Sequence, residues 1–277
     1  VSRPVLRYHG GKWKLAPWII SHFPEHRVYV EPFGGAASVL MRKSRSYAEV
    51  YNDQWDTVVN VFRVLRDAKK SEQLKRLLEL TPFSRTEFNL AFRRRPRKLG
   101  DVECARLTIL RSYAGFGSAS TNGEYSTGFR GTSNRLGTTP AHDWVNYPRH
   151  LVNFIERLRG VVIENRPALE VMPQHDDSRT LFYLDPPYPH STRNMQRGNA
   201  AYAVEMSDDQ HRELAEMVSQ VKGRVLISGY ACPLYDRELF RNWRRVEIDH
   251  RADGGRPRTE VLWMNYEPPA QRRLEIA

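Results

Sequence analysis

From Val28 onward, apolar and polar positions fall in short blocks whose spacing alternates between strand and helix. Val28-Tyr29-Val30 is β-rich, Gly34-Gly35 interrupts it, Ala36 to Lys43 suits a helix, and Tyr47 to Tyr51 is extended again. This is a βαβ opening. Val161-Val162-Ile163 precedes Pro167, and Leu181-Phe182-Tyr183-Leu184 is almost wholly apolar, as expected of a parallel strand buried on both faces. Ser207 with Gln210 three residues on forms a capping box ahead of the helical run Leu214, Met217, Val218, Val221, and Val225-Leu226-Ile227 is the next strand. Near the C-terminus, Arg245 to Asp249 and Thr259 to Asn265 are β-rich segments separated by Asp253-Gly254-Gly255, which is hairpin chemistry. The pattern predicts an α/β fold with a mostly parallel, doubly wound sheet and an antiparallel C-terminal hairpin.

Between the two α/β portions the texture changes. Helical patterns run over Val58 to Leu65, Gln73 to Leu80, Thr86 to Phe92 and Val102 to Ser112, a mainly helical insertion. Tyr113 to Pro140 is rich in Gly, Ser and Thr, with Phe116, Tyr125, Phe129, Arg130 and Arg135 interspersed. That stretch cannot build a packed core alone and suits either a disordered loop or a surface ordered against a partner. The expected organisation is therefore a catalytic unit of residues 1–58 and 150–277 interrupted by an insertion of residues 59–149.

Composition narrows the classes. The 277 residues are 40% hydrophobic, the mean hydropathy is −0.63, and apolar runs are short, so neither a membrane span nor a secretory signal is indicated and a cytoplasmic protein is expected. Cys104 and Cys232 lie far apart, which disfavours a disulfide framework or a zinc-thiolate site. His9, His142 and His211 show no paired metal spacing, so no metal is expected. With 43 Lys+Arg against 32 Asp+Glu the net charge is +11. Residues 59–149 alone carry 17 basic and 8 acidic side chains, so a polyanionic partner is expected at the insertion.

The strongest chemical signal is Asp185-Pro186-Pro187-Tyr188 after the apolar strand. It makes a rigid, donor-poor corner at a strand's carboxyl end, where open α/β sheets bind ligands. The Asp185 carboxylate and the Pro186 carbonyl can together accept both hydrogens of an exocyclic amine, and Tyr188 offers a flat face for stacking. Glu31-Pro32-Phe33-Gly34-Gly35 follows the first strand, and its glycines allow close backbone approach to a ligand. Because it lacks G-x-G-x-x-G, a dinucleotide is disfavoured and S-adenosylmethionine is the alternative nucleoside ligand. Asn52-Asp53 ends the second strand, where an acidic residue accepts bonds from ribose hydroxyls. Tyr8-His9-Gly10-Gly11-Lys12 lacks the spacing of a P-loop, and Lys12 is expected to face a carboxylate instead.

Those four elements, in the chain order G-G-K, E-P-F-G-G, N-D and D-P-P-Y with a basic insertion before the last, resemble the Dam-type (α-group) DNA adenine-N6 methyltransferases over nearly the whole chain. Ser228-Gly229-Tyr230 and Arg258-Thr259-Glu260-Val261-Leu262-Trp263 look like phage and prophage members of that family. The resemblance implies a class I S-adenosylmethionine-dependent methyltransferase sheet and methylation of an adenine amino group in double-stranded DNA by a monomer or weak dimer. By motif position, Tyr8, Gly11 and Lys12 would contact the cofactor, Phe33, Gly34 and Gly35 would line its site, and Asp53 would hold its ribose. Asn165 stands near the position of the family's adenine contact. Asp185, also beside the cofactor, would hold the target base together with Pro186 and Tyr188.

Adenine's amino nitrogen is a poor nucleophile because its lone pair is delocalised, and hydrogen bonds to Asp185 and the Pro186 carbonyl would localise it for direct methyl transfer. A base inside a duplex cannot reach such a corner, so it must be flipped out. In the insertion, Arg93, Arg94, Arg95, Arg97 and Lys98 would neutralise phosphates. Tyr113, Phe116, Arg130 and Arg135 would serve base reading and gap filling, with the recognition sequence left open. Three other readings remain at this point: amino methylation of cytosine, whose exocyclic amine the same acceptor pair can hold, an RNA adenine methyltransferase, and a catalytically silent DNA-binding regulator on the same scaffold.

Overall fold

The computed structural model describes residues 1–93, 99–116, 121, 128–131, 137–192, 202–251 and 257–269. In chain order it contains α1 (Ala16–Ser21), β1 (Val28–Glu31), α2 (Ser38–Arg42), β2 (Ala48–Asn52), α3 (Asp56–Arg66), α4 (Ala68–Leu80), α5 (Arg85–Arg93), α6 (Asp101–Ala114), α7 (Pro140–Asn146), α8 (Leu151–Leu158), β3 (Val161–Glu164), α9 (Ala168–Val171), β4 (Thr180–Leu184), α10 (Asp208–Gln220), β5 (Arg224–Tyr230), β6 (Arg244–Arg251) and β7 (Pro257–Met264). The strands form one sheet in the order β3-β2-β1-β4-β5-β7-β6. The first five are parallel, and β7 runs antiparallel between β5 and β6. This is the expected mostly parallel sheet with its antiparallel C-terminal hairpin; the expected Asp253-Gly254-Gly255 turn lies outside the described residues.

Both faces of the sheet are covered, which explains the apolar strands. All five residues of β4 are buried. Val30, Phe182, Leu184 and Ile227 pack on one face with Leu214 and Val218 of α10. Tyr29, Tyr51, Leu181 and Leu226 pack on the other. Helix α10 starts where its capping box predicts, with the reciprocal Ser207–Gln210 bonds present. Helix α2 is shorter than the predicted Ala36 to Lys43. Gly35 (φ +48°) and Ala37 (φ +52°) hold the left-handed region and Lys43 is extended, so only the middle of the segment can be helical.

The segment between β2 and β3 is largely helical, and among the described residues its apolar side chains join the core of the sheet. Val58, Phe62, Leu107 and Tyr147 belong to the same apolar cluster as Tyr29 and Tyr51. Helix α3 packs on α6, α8 and β3. The expected boundary between residues 58 and 59 therefore falls inside a helix that serves both parts.

Candidate active site

The chain lays down β1, β2 and β3 outward in one direction, then returns to place β4 on the other side of β1. The connections on either side of the β1/β4 pair diverge, leaving a crevice at the strands' carboxyl ends. Glu31 to Gly35 leave β1 there, Asn52-Asp53 leave the adjacent β2, and Asp185 leaves β4. A cavity of about 370 Å³ occupies the crevice, within the usual range for small-ligand sites. Tyr8, Gly11, Lys12, Phe33, Gly34, Gly35, Asp53 and Asp185 all line it, so sequence segments up to 177 residues apart meet at one place.

The glycine turn is shaped by packing as much as by ligand access. A Cβ on Gly34 would lie 2.2 Å from Tyr51 Cε2, and one on Gly35 would lie 2.9 Å from Tyr8 Cε1. Asp53 fixes the same turn: one carboxylate oxygen accepts from Gly35 N at 2.7 Å, the other from Trp55 N at 2.8 Å. Burial pushes the Asp53 carboxyl up to about 6, against the pull of those two N–H groups. Asn165 does not line the cavity; its side-chain amide donates to the Asp53 carbonyl at 2.8 Å and braces the turn from outside.

Asp185 lines the same cavity beside Lys12. Lys12 Nζ lies 2.8 Å from Oδ1 and 2.9 Å from Oδ2, and also donates to the Gly10 carbonyl at 2.7 Å. Lys12 thus faces a carboxylate, as its lack of a P-loop context suggests. Burial works against the ammonium, but Asp185 and Glu260 hold its pKa above the ordinary range, so it stays charged. Burial raises the Asp185 carboxyl, with Lys12 opposing. Ser228 Oγ donates to Asp185 Oδ1 at 3.0 Å and lies 2.9 Å from the Tyr183 hydroxyl. A serine has one proton to give, so Tyr183 donates to Ser228 in that arrangement. An ionised carboxylate offers about four acceptor positions. Lys12, at Oδ2, and Ser228, at Oδ1, donate to two of them, so the hydrogen bonds from the described residues leave acceptor capacity on both oxygens.

Pro187 of the proline corner lines the cavity, whereas Pro186 and Tyr188 do not. Tyr188 is 5% exposed, with its hydroxyl donating to Glu260 Oε1 at 2.6 Å and its ring edge-on to Tyr230. In the insertion, Phe116 is 63% exposed and Arg93 is exposed. Tyr113 and Arg130 are buried: the Tyr113 hydroxyl donates to the Pro4 carbonyl at 2.6 Å, and Arg130 pairs with Asp143 at 3.3 Å. Tyr113 thereby helps tie the segment leading to Tyr8 onto the insertion, as do Tyr147 through Val5 and Ser112 through Arg7. Arg94, Arg95, Arg97, Lys98, Tyr125 and Arg135 lie outside the described residues.

Several cavity and support residues escape a motif reading. Glu31 lines the cavity with Oε2 accepting from Tyr29 and Leu40, and burial raises its carboxyl to about 8. Trp55 and Tyr202 also line it. Ser228 and Glu260 could have been flagged by one signal, a polar or charged residue inside an otherwise apolar buried strand, since such a group needs partners.

A mostly parallel sheet with one antiparallel strand inserted before its edge, and a cleft at the β1/β4 switch point, defines a class I methyltransferase fold. The family model for D12 class N6 adenine-specific DNA methyltransferases matches residues 8–251, and the chain belongs to that family. It is an adenine-specific DNA methyltransferase, and its substrate is DNA rather than RNA. No curated protein matches the chain. Among the described residues, no helix is long and apolar enough to cross a membrane, and no group of three His, Cys, Asp or Glu side chains could hold a metal ion.

Proposed function

We propose that the chain transfers a methyl group from S-adenosylmethionine to N6 of an adenine flipped out of duplex DNA. The observation that carries this reading is the Asp185 carboxylate, held by Lys12 and Ser228 with acceptor capacity beyond those two bonds, in the same cavity as the Gly34-Gly35 turn and Asp53. The cavity fits a nucleoside cofactor: a half-buried acid, Asp53, stands at the end of β2, Trp55 and Phe33 offer apolar walls, and the backbone at Gly34 and Gly35 carries no side chain. S-Adenosylmethionine would supply an electrophilic methyl group on a cationic sulfur. Asp53 would hold the ribose hydroxyls, and Tyr8, Gly11, Lys12 and Phe33 would complete the site, with Asn165 bracing Asp53.

On the base, Asp185 Oδ2 and the Pro186 carbonyl would accept the two N6 hydrogens and localise the nitrogen lone pair. Lys12 and Ser228 keep the carboxylate fixed, so little reorganisation is needed when the base arrives. The amine sheds a proton as its new bond forms, and Asp185 Oδ2 is the acceptor at hand. An unperturbed aspartate is a weak base for this, and burial of Asp185 strengthens it. Tyr188 would stack on the flipped base, with residues 59–149 as the target-recognition insertion. There, Arg93 and the basic run after it would grip phosphates, and exposed Phe116 would occupy the space the base leaves. Tyr113 and Arg130 would brace the insertion from within.

Incubation with methyl-labelled S-adenosylmethionine and adenine-containing duplexes should put label in N6-methyladenine after hydrolysis of the DNA. Label in cytosine, or in no base across a duplex library, overturns the proposal.

The cofactor reading also carries a pH dependence. Ionised Asp53 accepts ribose hydroxyls better than its protonated form, and its pKa lies at about 6. Affinity for the cofactor analogue sinefungin should therefore fall as pH drops through about 6, by up to about tenfold per unit in the limit. Trp55 in the cavity wall supplies the fluorescence signal. The slope should flatten in Asp53→Asn, and a variant that keeps the wild-type slope removes Asp53 from this role.

A further inference from the structure

We propose that Glu260 is a positioning residue that fixes the ring of Tyr188 in the orientation needed to receive the flipped adenine. The inference rests on the reading of Tyr188 as the stacking ring. Glu260 lies on β7, outside the proline corner, and is 1% exposed. Its Oε1 accepts the Tyr188 hydroxyl at 2.6 Å, a short charge-assisted bond. The same oxygen lies 3.7 Å from Lys12 Nζ, and Oε2 lies 3.6 Å from His250 Nε2. Tyr230, opposite Glu260 in the β5/β7 register, meets the Tyr188 ring edge-on with centroids 4.7 Å apart. Lys12 Nζ lies 4.9 Å from the centre of the same ring.

Tyr188 follows two prolines that stiffen the backbone, yet its side chain can still turn about χ1 and χ2. Contacts to Tyr230 and Lys12 limit the ring's position, and the bond to Glu260 fixes its far end. The antiparallel strand thus acts on the proline corner from across the sheet. A buried carboxylate is costly without partners, and the hydrogen bond Glu260 accepts comes from Tyr188 of the proline corner, with Lys12 of the candidate site as a nearby cation.

A double-mutant cycle tests this. Glu260→Ala and Tyr188→Phe should each lower kcat by about 10- to 100-fold, the range for losing a hydrogen bond to a charged acceptor. The double variant should be no slower than the worse single variant, because both remove the same bond. Sinefungin affinity should stay within about threefold, and Glu260→Gln, which keeps an acceptor for the tyrosine hydroxyl, should recover most of kcat. With 2-aminopurine at the target position, Glu260→Ala and Tyr188→Phe should alter the fluorescence of the bound duplex alike. Additive losses, or a glutamine variant as slow as the alanine variant, overturn the inference and assign Glu260 to charge balance on Lys12. A crystal structure of Glu260→Ala with the Tyr188 ring unmoved overturns it whatever the enzyme does to DNA. A wild-type protein that methylates no adenine defeats the proposed function instead, and leaves ring orientation to decide the role of Glu260.

Discussion

Asp185→Asn should lower the single-turnover rate of methyl transfer by about 100- to 1000-fold, the range seen when a preorganised polar group is removed from a reaction centre. The replacement keeps the size of the side chain and changes what it offers. One oxygen is lost as an acceptor, so the amide can present an NH₂ group to an incoming amine that itself donates. Lys12 loses its anion at 2.8 Å and keeps Glu260 at 3.7 Å and the Gly10 carbonyl at 2.7 Å. Since the amide cannot take a proton, the step that follows bond formation slows as well. Duplex affinity should stay within a few-fold, because phosphate contacts dominate such affinity and the proposed ones lie elsewhere. Rapid-quench measurement of labelled methyl transfer, with a far-UV spectrum as a check on folding, reads the effect. A rate within threefold of wild type would sink the assignment of Asp185.

The largest expected effect on stability lies away from the cavity. Glu49→Ala should destabilise the fold by about 3–5 kcal/mol, a large part of the roughly 5–15 kcal/mol that holds a domain together. Glu49 is 3% exposed and receives Arg157 through both guanidinium NH₂ groups, at 2.6 and 2.9 Å, and Lys43 at 2.7 Å. The cluster joins the end of α2, strand β2 and helix α8. Removing the carboxylate leaves two cations buried without an anion, which costs far more than the pair's net contribution. Glu49→Gln, which keeps acceptors, should cost less than the alanine variant. Burial alone would raise the Glu49 carboxyl, but the bonds from Arg157 and Lys43 outweigh it and hold the pKa below the usual value. This stability is therefore present above the unfolded pKa of about 4.3 and is lost as pH falls through the lower folded value. Urea midpoints at pH 7 and pH 3.5 check both points. The wild-type-to-alanine difference should shrink at the lower pH, and an unchanged difference there refutes the electrostatic account.

Much of the fold was legible because its signals are local. The apolar run before Asp185 could only be a strand covered on both sides, and Ser207 with Gln210 marked the start of α10 to the residue. The proline corner, the glycine turn and Asn52-Asp53 were readable for the same reason: each is a short segment whose backbone chemistry is set by its own residues. Helix α2 was overextended because helix propensity at Ala36 and Ala37 gave way to the left-handed turn that Asp53 and Tyr51 hold through Gly35. Helix α3 has one periodicity throughout, and nothing in it marks where its partners change from the sheet to the helices that follow.

The sequence alone determined the order of strands and helices, the chemistry of each strand end and the excess of positive charge between residues 59 and 149, since these depend on neighbours along the chain. Only the tertiary structure decided that Lys12 and Ser228 grip Asp185, that Glu260 takes the Tyr188 hydroxyl, and that Tyr113 and Arg130 turn inward. Those partners are 13 to 173 residues apart. Which buried polar group satisfies which is settled by the folding of the sheet and the closure of the core around them, and no local pattern encodes it.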